Sequence, residues 1–192
     1  MTDAAVPAPK LALDDPTGVE KILVVTAHPD DVDFGVAGSV ALWVKAGIDV
    51  AYCIVTDGDA GGSDRTISRP EMAAIRQKEQ RAAAAEVGVT QVSFLGYPDA
   101  RNPFAHPELL EEGLEPHAVS EIWLMAAPGA NRVVDVTDTF DRKLAALLCH
   151  RSQVGDAEGL EARLRQWLTA GGRAAGLPDG HLAESFQVVS TP

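Results

Sequence analysis

Three apolar runs in the first half of the chain predict buried strands. They are KILVVTA at 21–27, DVAYCIVT at 49–56 and VTQVSFLG at 89–96. Runs this short and this rich in valine are typical of strands buried on both faces of a parallel sheet. Helical patterns at 35–46 and 68–87 separate them, and Ser68 and Glu71 have the spacing of a capping box. The alternation predicts an α/β fold with a doubly wound, mostly parallel sheet and right-handed crossovers.

The regular alternation stops after Gly96. Residues 97–120 contain four prolines and no long helical period. Further on, the pattern predicts strands at 121–126 and 132–137 and helices at 138–151 and 158–170. The interrupted rhythm suggests that this half lacks one β-α unit. We expect one domain over 21–170, preceded by an extended tail at 1–20 and followed by a glycine-containing tail at 171–192.

The charge balance makes some partners and locations improbable. The 192 residues include 16 Lys and Arg against 28 Asp and Glu, which gives a net charge of −12. An acidic surface repels phosphate backbones, so we expect no nucleic-acid partner. No apolar run approaches the roughly 20 residues of a membrane helix, and the N-terminus is unlike a signal peptide, so we expect no membrane span and a cytoplasmic location. Cys53 and Cys149 lie in apolar runs and are predicted to be buried free thiols.

Candidate chemistry lies where the predicted strands end, because open parallel sheets bind ligands at the carboxyl ends of their strands. His28, Asp30 and Asp31 follow the first strand, Asp57 and Gly58 follow the second, and Asp99 follows the third. Carboxylates crowded on one rim favour a bound cation, and an imidazole beside a carboxylate suits zinc better than magnesium. His28 and Asp31 are therefore candidate zinc ligands, and Asp30 is a candidate base. Asp59 and Asp99, taken alone, are better explained as turn residues.

The motif AHPDD after a buried first strand resembles the PIG-L/LmbE family of zinc-dependent N-acetylglucosaminyl de-N-acetylases. The resemblance continues through TDGDAGG, LGYPD and DVTDTFDRKLAALLCHRSQ. It implies a Rossmann-like LmbE topology, a Zn²⁺ cofactor and a small N-acetylated sugar conjugate as substrate. It also implies that His28 and Asp31 hold the zinc and that Asp30 is the general base. The family-like segments make Asp57, Gly58, Arg76 and Asp99 candidate substrate-binding residues, although Arg76 and Glu79 could equally form an exposed pair on a helix.

The chain departs from this family in its third zinc ligand. Catalytic zinc normally has three protein ligands, and family members supply the third from a histidine in an HPDH-like segment that is missing here. One Tyr-Pro-Asp, at 97–99, serves two family-like junctions, so we infer an internal deletion. His106 is the best-placed substitute. The other histidines are better explained structurally: His117 and His181 as loop or tail residues and His150 as the end of a helix.

Three functions follow from these observations. The first is a zinc hydrolase that removes an acetyl or other acyl group from an N-acetylglucosamine-type conjugate. The second is a shortened, inactive relative that serves as a binding or interaction module, in which exposed sheet surface would favour a homo-oligomer. The third, a phosphoacceptor receiver-like domain, fits poorly because Asp57 follows the second strand and His28 would have no role.

Overall fold

A three-stranded parallel sheet forms the first half of the fold. The structure, a computed structural model, describes residues 12–13, 16–62, 64, 66–97, 120–154 and 159–190, so Asp99, His106 and His117 lie outside the described residues. Strands β2 (Lys21–Thr26), β3 (Asp49–Thr56) and β4 (Gln91–Tyr97) pair in the order β2-β3-β4. Every strand pair in this sheet is parallel. The predicted α/β class and the parallel sheet are therefore confirmed.

The helices that follow β2 begin earlier than expected. The predicted helix at 35–46 is two helices, α1 (Asp31–Gly35) and α2 (Ala37–Lys45), separated at Val36, whose φ of −141° is not helical. Lys143 Nζ donates hydrogen bonds to the carbonyl oxygens of Asp33 (2.9 Å) and Phe34 (2.7 Å). These bonds give the last turn of α1 partners outside the helix, which permits the break.

Helix α3 (Arg69–Glu86) is close to its predicted bounds. Ser68 precedes it in extended conformation and Pro70 lies in its first turn, as the sequence indicates. The Ser68 side chain makes no capping hydrogen bond, so the predicted capping box does not form. The prediction of the helix was correct because the proline and the apolar face suffice to start it.

A second sheet of four strands forms the other half, in the order β1-β6-β7-β5. Its strands are β1 (Ala12–Leu13), β5 (Glu121–Met125), β6 (Arg132–Asp135) and β7 (Ala183–Ser190). Strand β7 runs antiparallel to both neighbours, and only β1 and β6 are parallel. The expectation of a mostly parallel sheet holds for the first sheet and is wrong for the second, because the chain returns through β7 in the opposite direction.

The expected C-terminal tail at 171–192 is largely ordered structure. Helix α6 (Leu160–Ala174) continues through Gly171 and Gly172. A Cβ on Gly171 would lie 2.8 Å from the carbonyl oxygen of Ala183, so these glycines permit α6 to pack closely on β7 rather than form a linker. Phe186 of β7 completes the core by packing against two tryptophans, with ring centroids 5.1 Å from Trp123 and 6.4 Å from Trp43.

A buried ion pair joins the two halves. Helix α4 (Phe140–Cys149) follows a 3-10 turn at Thr137–Thr139, and Lys143 of α4 pairs with Glu184 of β7 at 2.9 Å. Glu184 also accepts hydrogen bonds from the backbone N–H groups of Gly38 (3.0 Å) and Ser39 (2.8 Å) and from the Ser39 hydroxyl. We call this group, with the two carbonyls that Lys143 contacts, the Lys143 network. It ties α1, α2, α4 and β7 together.

One face of the three-stranded sheet is poorly covered. Because β2, β3 and β4 follow one another across the sheet, right-handed crossovers place α2 and α3 on the same side. On the other side Leu23, Val25 and Leu95 are 63%, 54% and 53% exposed. Cys53 of β3 points to this side and is only half-buried, as is Cys149, so the prediction of two buried thiols is wrong. Within the described residues no helix is long and apolar enough to cross a membrane.

Candidate functional site

The turn after β2 brings His28 and Asp31 together. The backbone N–H and the hydroxyl of Thr56, at the end of β3, both donate to the carbonyl oxygen of Ala27 at 2.8 Å, which holds the start of this turn. His28 N–H donates to Asp31 Oδ2 at 2.9 Å, and His28 Nδ1 lies 3.3 Å from the same oxygen. The two side chains are 40% and 41% exposed. An imidazole and a carboxylate therefore meet at the surface, where a cation from solvent could reach both.

Asp30 lies between these two residues in a strained conformation. Its φ of 89° is left-handed, one of two positive values among the described residues other than glycine. Two contacts hold it: Arg76 Nη2 lies 3.0 Å from Oδ2, and Asp30 N–H donates to Gln80 Oε1 at 2.7 Å. Backbone strain of this kind costs about 1–3 kcal/mol and is concentrated at functional sites. In this conformation the Asp30 carboxylate pairs with Arg76.

The pKa of Asp30 reflects its surroundings. Burial raises the pKa of this carboxyl above its usual value, and the neighbouring charges of Asp31 and Asp33 add to that effect. The Arg76 guanidinium and His150 act in the opposite direction. The carboxylate therefore holds a proton more readily than an exposed aspartate, which suits a group that must accept one.

Arg76 is buried beneath the turn, so the alternative of an exposed Arg76–Glu79 pair is wrong. Its Nη1 donates to the carbonyl oxygen of Gly58 at 3.1 Å and its Nη2 to that of Pro29 at 2.5 Å. Gly58 has a φ of +63°, and a Cβ there would collide with the Arg76 guanidinium. Glu79 instead accepts hydrogen bonds from the N–H and hydroxyl of Ser152, at 2.8 and 2.5 Å. The second loop thus supplies backbone that holds Arg76 against Asp30.

Asp57 lies at the end of β3, on the same rim. Its N–H donates to the carbonyl oxygen of Tyr97 at 3.0 Å, and Gln77 Nε2 donates to its Oδ1 at 2.8 Å. The neighbouring Asp59 pairs with Arg69, with Oδ2 3.4 Å from Nε. The rim predicted from the sequence is thus present for the first two strands, and Asp99, predicted after the third, lies outside the described residues.

Sequence reasoning missed the buried groups behind Asp30. Gln80 Nε2 donates to Asp33 Oδ2 at 2.9 Å, and the same oxygen lies 2.7 Å from His150 Nε2. His150 ends helix α4, as predicted, but it is also fully buried against Asp33, a contact that the sequence did not indicate. Similarly, His181 pairs with Asp135 at 2.7 Å rather than lying in a tail. We call Asp30, Asp33, Arg76, Gln80 and His150 the Arg76 network.

A signal for Gln80 was present in the sequence. It lies four residues after Arg76 on a face of α3 whose other buried members, Met72, Ala83 and Ala84, are apolar. A polar residue on an apolar helix face needs a buried partner, which indicates a network. Three atoms of the network, Arg76 Nε, Asp33 Oδ1 and His150 Nδ1, have no hydrogen-bond partner among the described residues. The network is therefore only partly satisfied.

The described residues fit a zinc ion in part. His28 and Asp31 offer a nitrogen and an oxygen ligand of the kinds that zinc takes. Among the described residues, however, no three His, Cys, Asp or Glu side chains form a group that could hold a metal. His106, the predicted third ligand, lies outside them. Two of the three expected ligands are thus in place on the rim.

The sequence comparisons match the chain to de-N-acetylases. The family model described as PIG-L, GlcNAc-PI de-N-acetylase, matches residues 23–143. The diacetylchitobiose deacetylase of Thermococcus kodakarensis is 25% identical over 188 residues, covering 70% of each chain. A Bacillus subtilis protein named "Probable N-acetyl-alpha-D-glucosaminyl L-malate deacetylase 2" is 33% identical over 99 residues, which span 50% of this chain and 45% of the relative.

Solved structures agree with the sequence matches. The N,N'-diacetylchitobiose deacetylase from Pyrococcus horikoshii, in complex with its inhibitor MPG, superposes with a TM-score of 0.81 at 26% identity. That match covers 91% of this chain and 85% of the other. His28, Asp30 and Arg76 fall within the matched sequence segment, residues 23–143, whereas His150 lies just after it.

Proposed function

The chain belongs to the PIG-L family of de-N-acetylases, and from that premise we propose that it hydrolyses the acetamide of an N-acetylglucosamine-type conjugate with the help of zinc. One observation carries the proposal: Asp30 is held in a strained conformation against Arg76, next to the His28–Asp31 pair. The named relatives are deacetylases of N-acetylated sugars. We extend their chemistry, but not their individual substrates, to this chain.

His28 and Asp31 would hold the zinc. When bound at such a site, zinc polarises the acetamide carbonyl and lowers the pKa of a coordinated water. His106 remains our proposed third ligand. Asp57, Gly58 and Asp99 remain proposed substrate-binding residues, and Arg76, which is buried behind Asp30, is better suited to positioning the base than to touching the sugar.

Asp30 would move the proton. As water attacks the acetamide carbonyl carbon, the Asp30 carboxylate accepts the proton that the water loses. It then gives this proton to the nitrogen as the carbon–nitrogen bond breaks, so that the products are acetate and a free amine. Arg76 holds Asp30 Oδ2, and Gln80 fixes the Asp30 backbone. The carboxylate thus keeps one orientation through both transfers.

Release of amine from N,N'-diacetylchitobiose in the presence of zinc tests this function. Asp30→Asn keeps the size of the side chain and the tolerance for left-handed backbone, and it should lower kcat by about 10²–10⁴-fold because a positioned base is lost. The matched control is Asp59→Asn, which removes another rim carboxylate and should leave the rate within about twofold. No amine release by the wild-type protein, or equal rates in Asp30→Asn and wild type, would contradict the proposal.

The second candidate function is an inactive member of the family that acts as a binding module. It is favoured by the sequence, which lacks the HPDH-like segment that carries the third zinc ligand in the family that the chain resembles. Calorimetric titration with zinc separates the two candidates. Binding at one site per chain, weakened by His28→Ala and by His106→Ala alike, would support the enzyme. Binding that is insensitive to His106→Ala, together with no turnover, would support the binding module.

A further inference from the structure

A cavity of about 250 Å³ lies between helix α6 and the end of helix α1. Seven residues line it: Phe34, Gln153, Val154, Leu160, Arg163, Leu164 and Trp167. Leu160 and Leu164 form its buried floor, whereas Trp167, one turn further along α6, is 64% exposed. Phe34 is also an exposed aromatic side chain. Two aromatic rings that folding leaves in water therefore line one concavity.

The cavity adjoins the candidate active site through Phe34. Phe34 is three residues after Asp31 in α1, and it also lines a second, more open cavity of about 490 Å³. Asp31, the candidate zinc ligand, lines that second cavity together with Thr26 and Ala27. Phe34 lines both cavities, so a molecule that binds at the end of β2 and extends past Phe34 would enter the first cavity.

Gln153 makes a second connection to the site. It lies in the short helix α5 (Arg151–Val154), which Ser152 anchors to Glu79 of α3. A Cβ on Gly61 would lie 3.0 Å from Gln153 Oε1 and 2.6 Å from Arg76 Nη1. The cavity is therefore joined, through Gly61, to the guanidinium that holds Asp30. Its position relative to the base is fixed by packed groups and not by a loose loop.

The side chains at the mouth of this cavity match one kind of ligand. An indole face offers a broad apolar surface, and Gln153 and Arg163 add an amide and a cation at its side. Among the described residues Arg163 has no carboxylate within ion-pair distance, so its donors are available to a ligand. A hexose ring has this combination, with apolar C–H faces and a rim of hydroxyl groups.

We propose that this cavity is a subsite for the sugar ring that adjoins the acetylated ring of the substrate, with Trp167 as its stacking platform. The inference rests on the proposed function for the identity of the ligand, since it assigns the acetylated ring to the His28–Asp31 rim. It adds the place where a second ring binds, which is the face of Trp167 on helix α6.

Steady-state kinetics on two substrates tests the subsite. With N,N'-diacetylchitobiose, Trp167→Ala should raise KM roughly five- to tenfold, the loss of one aromatic stacking contact, with kcat within about twofold. With N-acetylglucosamine the same variant should match the wild type, and Trp167→Phe should restore most of the disaccharide KM. Leu95→Ala, which removes another exposed apolar side chain, is the control. Equal KM values for wild type and Trp167→Ala on the disaccharide would overturn the subsite and leave the hydrolase intact.

A binding measurement separates failure of the subsite from failure of the proposed function. Indole N–H signals of the three tryptophans can be assigned with Trp→Phe variants and followed by NMR as the disaccharide is added to the Asp30→Asn protein. The Trp167 signal should shift more than that of the buried Trp43. A Trp167 shift in this variant, together with no amine release by the wild-type protein, would keep the subsite and remove the hydrolase. No Trp167 shift at millimolar disaccharide would overturn the subsite.

Discussion

The Lys143 network and the Arg76 network are both buried, but they are satisfied to different degrees. Lys143 Nζ has three partners, the carbonyls of Asp33 and Phe34 and the Glu184 carboxylate, and Glu184 accepts from two backbone N–H groups and a hydroxyl as well. The Arg76 network leaves three buried atoms without partners among the described residues and holds Asp30 in left-handed backbone.

We interpret the Lys143 network as one that stabilises the fold and the Arg76 network as one that serves the proposed chemistry. Buried charges with a full set of partners fix one arrangement of the surrounding helices and strand. Buried polar atoms without hydrogen-bond partners can still form hydrogen bonds or ion pairs with another group. Strain persists only where surrounding structure enforces it, and it is concentrated at functional sites. We therefore expect substitutions in the Lys143 network to change the free energy of unfolding, and those in the Arg76 network to change activity as well.

The largest expected effect comes from breaking the Lys143 network. Lys143→Met leaves the Glu184 carboxylate buried without its cation, which should lower the free energy of unfolding by about 3–5 kcal/mol. Urea denaturation measures this loss. Adding Glu184→Gln removes the stranded charge and keeps one acceptor oxygen for either Gly38 or Ser39, so the double variant should recover part of the loss.

The exposed pair Arg165–Glu161 is the control for that experiment. Its members are about half exposed, so Arg165→Met should cost less than about 1 kcal/mol. If Lys143→Met costs no more than Arg165→Met, the distinction between a buried stabilising network and a surface pair fails.

The second effect should combine stability and activity. Gln80→Leu leaves the Asp30 N–H without its acceptor and removes one donor to the Asp33 carboxylate. The free energy of unfolding should fall by about 2–3 kcal/mol. Because Gln80 fixes the backbone of the base, kcat should also fall by at least about tenfold. Gln91→Leu, which removes an exposed amide from β4, should change neither quantity. A Gln80→Leu protein that is less stable yet fully active would show that the network is structural only.

The third effect isolates the contact between the second loop and Arg76. Gly58 and Gly47 both have positive φ, but only at Gly58 would a Cβ meet the guanidinium; at Gly47 nothing lies within 4 Å. Gly47→Ala should therefore cost about 1 kcal/mol from backbone strain alone, and Gly58→Ala about 2 kcal/mol together with loss of activity. Thermal unfolding and amine release measure both. Equal behaviour of the two variants would mean that Gly58 serves only its turn.

The smallest effect should come from the half-exposed pair of Asp135 and His181, which serves as a reference for the two buried networks. Burial would raise the pKa of Asp135, but hydrogen bonds from Thr137 and His181 outweigh it and lower that pKa. A lowered pKa means that the carboxylate stabilises the fold above its unfolded pKa of about 3.9, and that this stability is lost as pH falls through the folded value. Asp135→Asn should cost under about 1 kcal/mol at pH 7, and this cost should shrink as the pH falls through the folded pKa of Asp135. A cost that persists in acid would point to packing instead of charge.

The sequence pattern predicted those strands that are continuous apolar runs. The bounds of strands β2 and β3 and of helix α3 were predicted to within one residue. Val and Ile mark the two strands, and a glycine marks the end of the helix. Strand β7 was not recognised, since its second residue is the buried Glu184, whose partner Lys143 is 41 residues away. The missing β-α unit inferred after Gly96 remains a prediction.

The candidate site divides in the same way. His28, Asp30 and Asp31 could be predicted because four consecutive positions carry all three groups. The pairing of His150 with Asp33 spans 117 positions, and nothing at either position indicates the other. Gln80 lies between these cases, since its helix face was readable and its partners were not. Local spacing thus indicated the candidate ligands and the candidate base, and only tertiary structure showed which groups contact them.

The uncovered side of the three-stranded sheet sets a condition for handling the protein. Leu23, Val25 and Leu95 expose an apolar surface there, and β2 is an edge strand in the described sheet. At neutral pH the net charge of −12 keeps copies apart by mutual repulsion. That repulsion disappears near the isoelectric point of about 4.7, where the same surface becomes adhesive. As the pH is lowered, the protein should therefore aggregate near its isoelectric point before it unfolds.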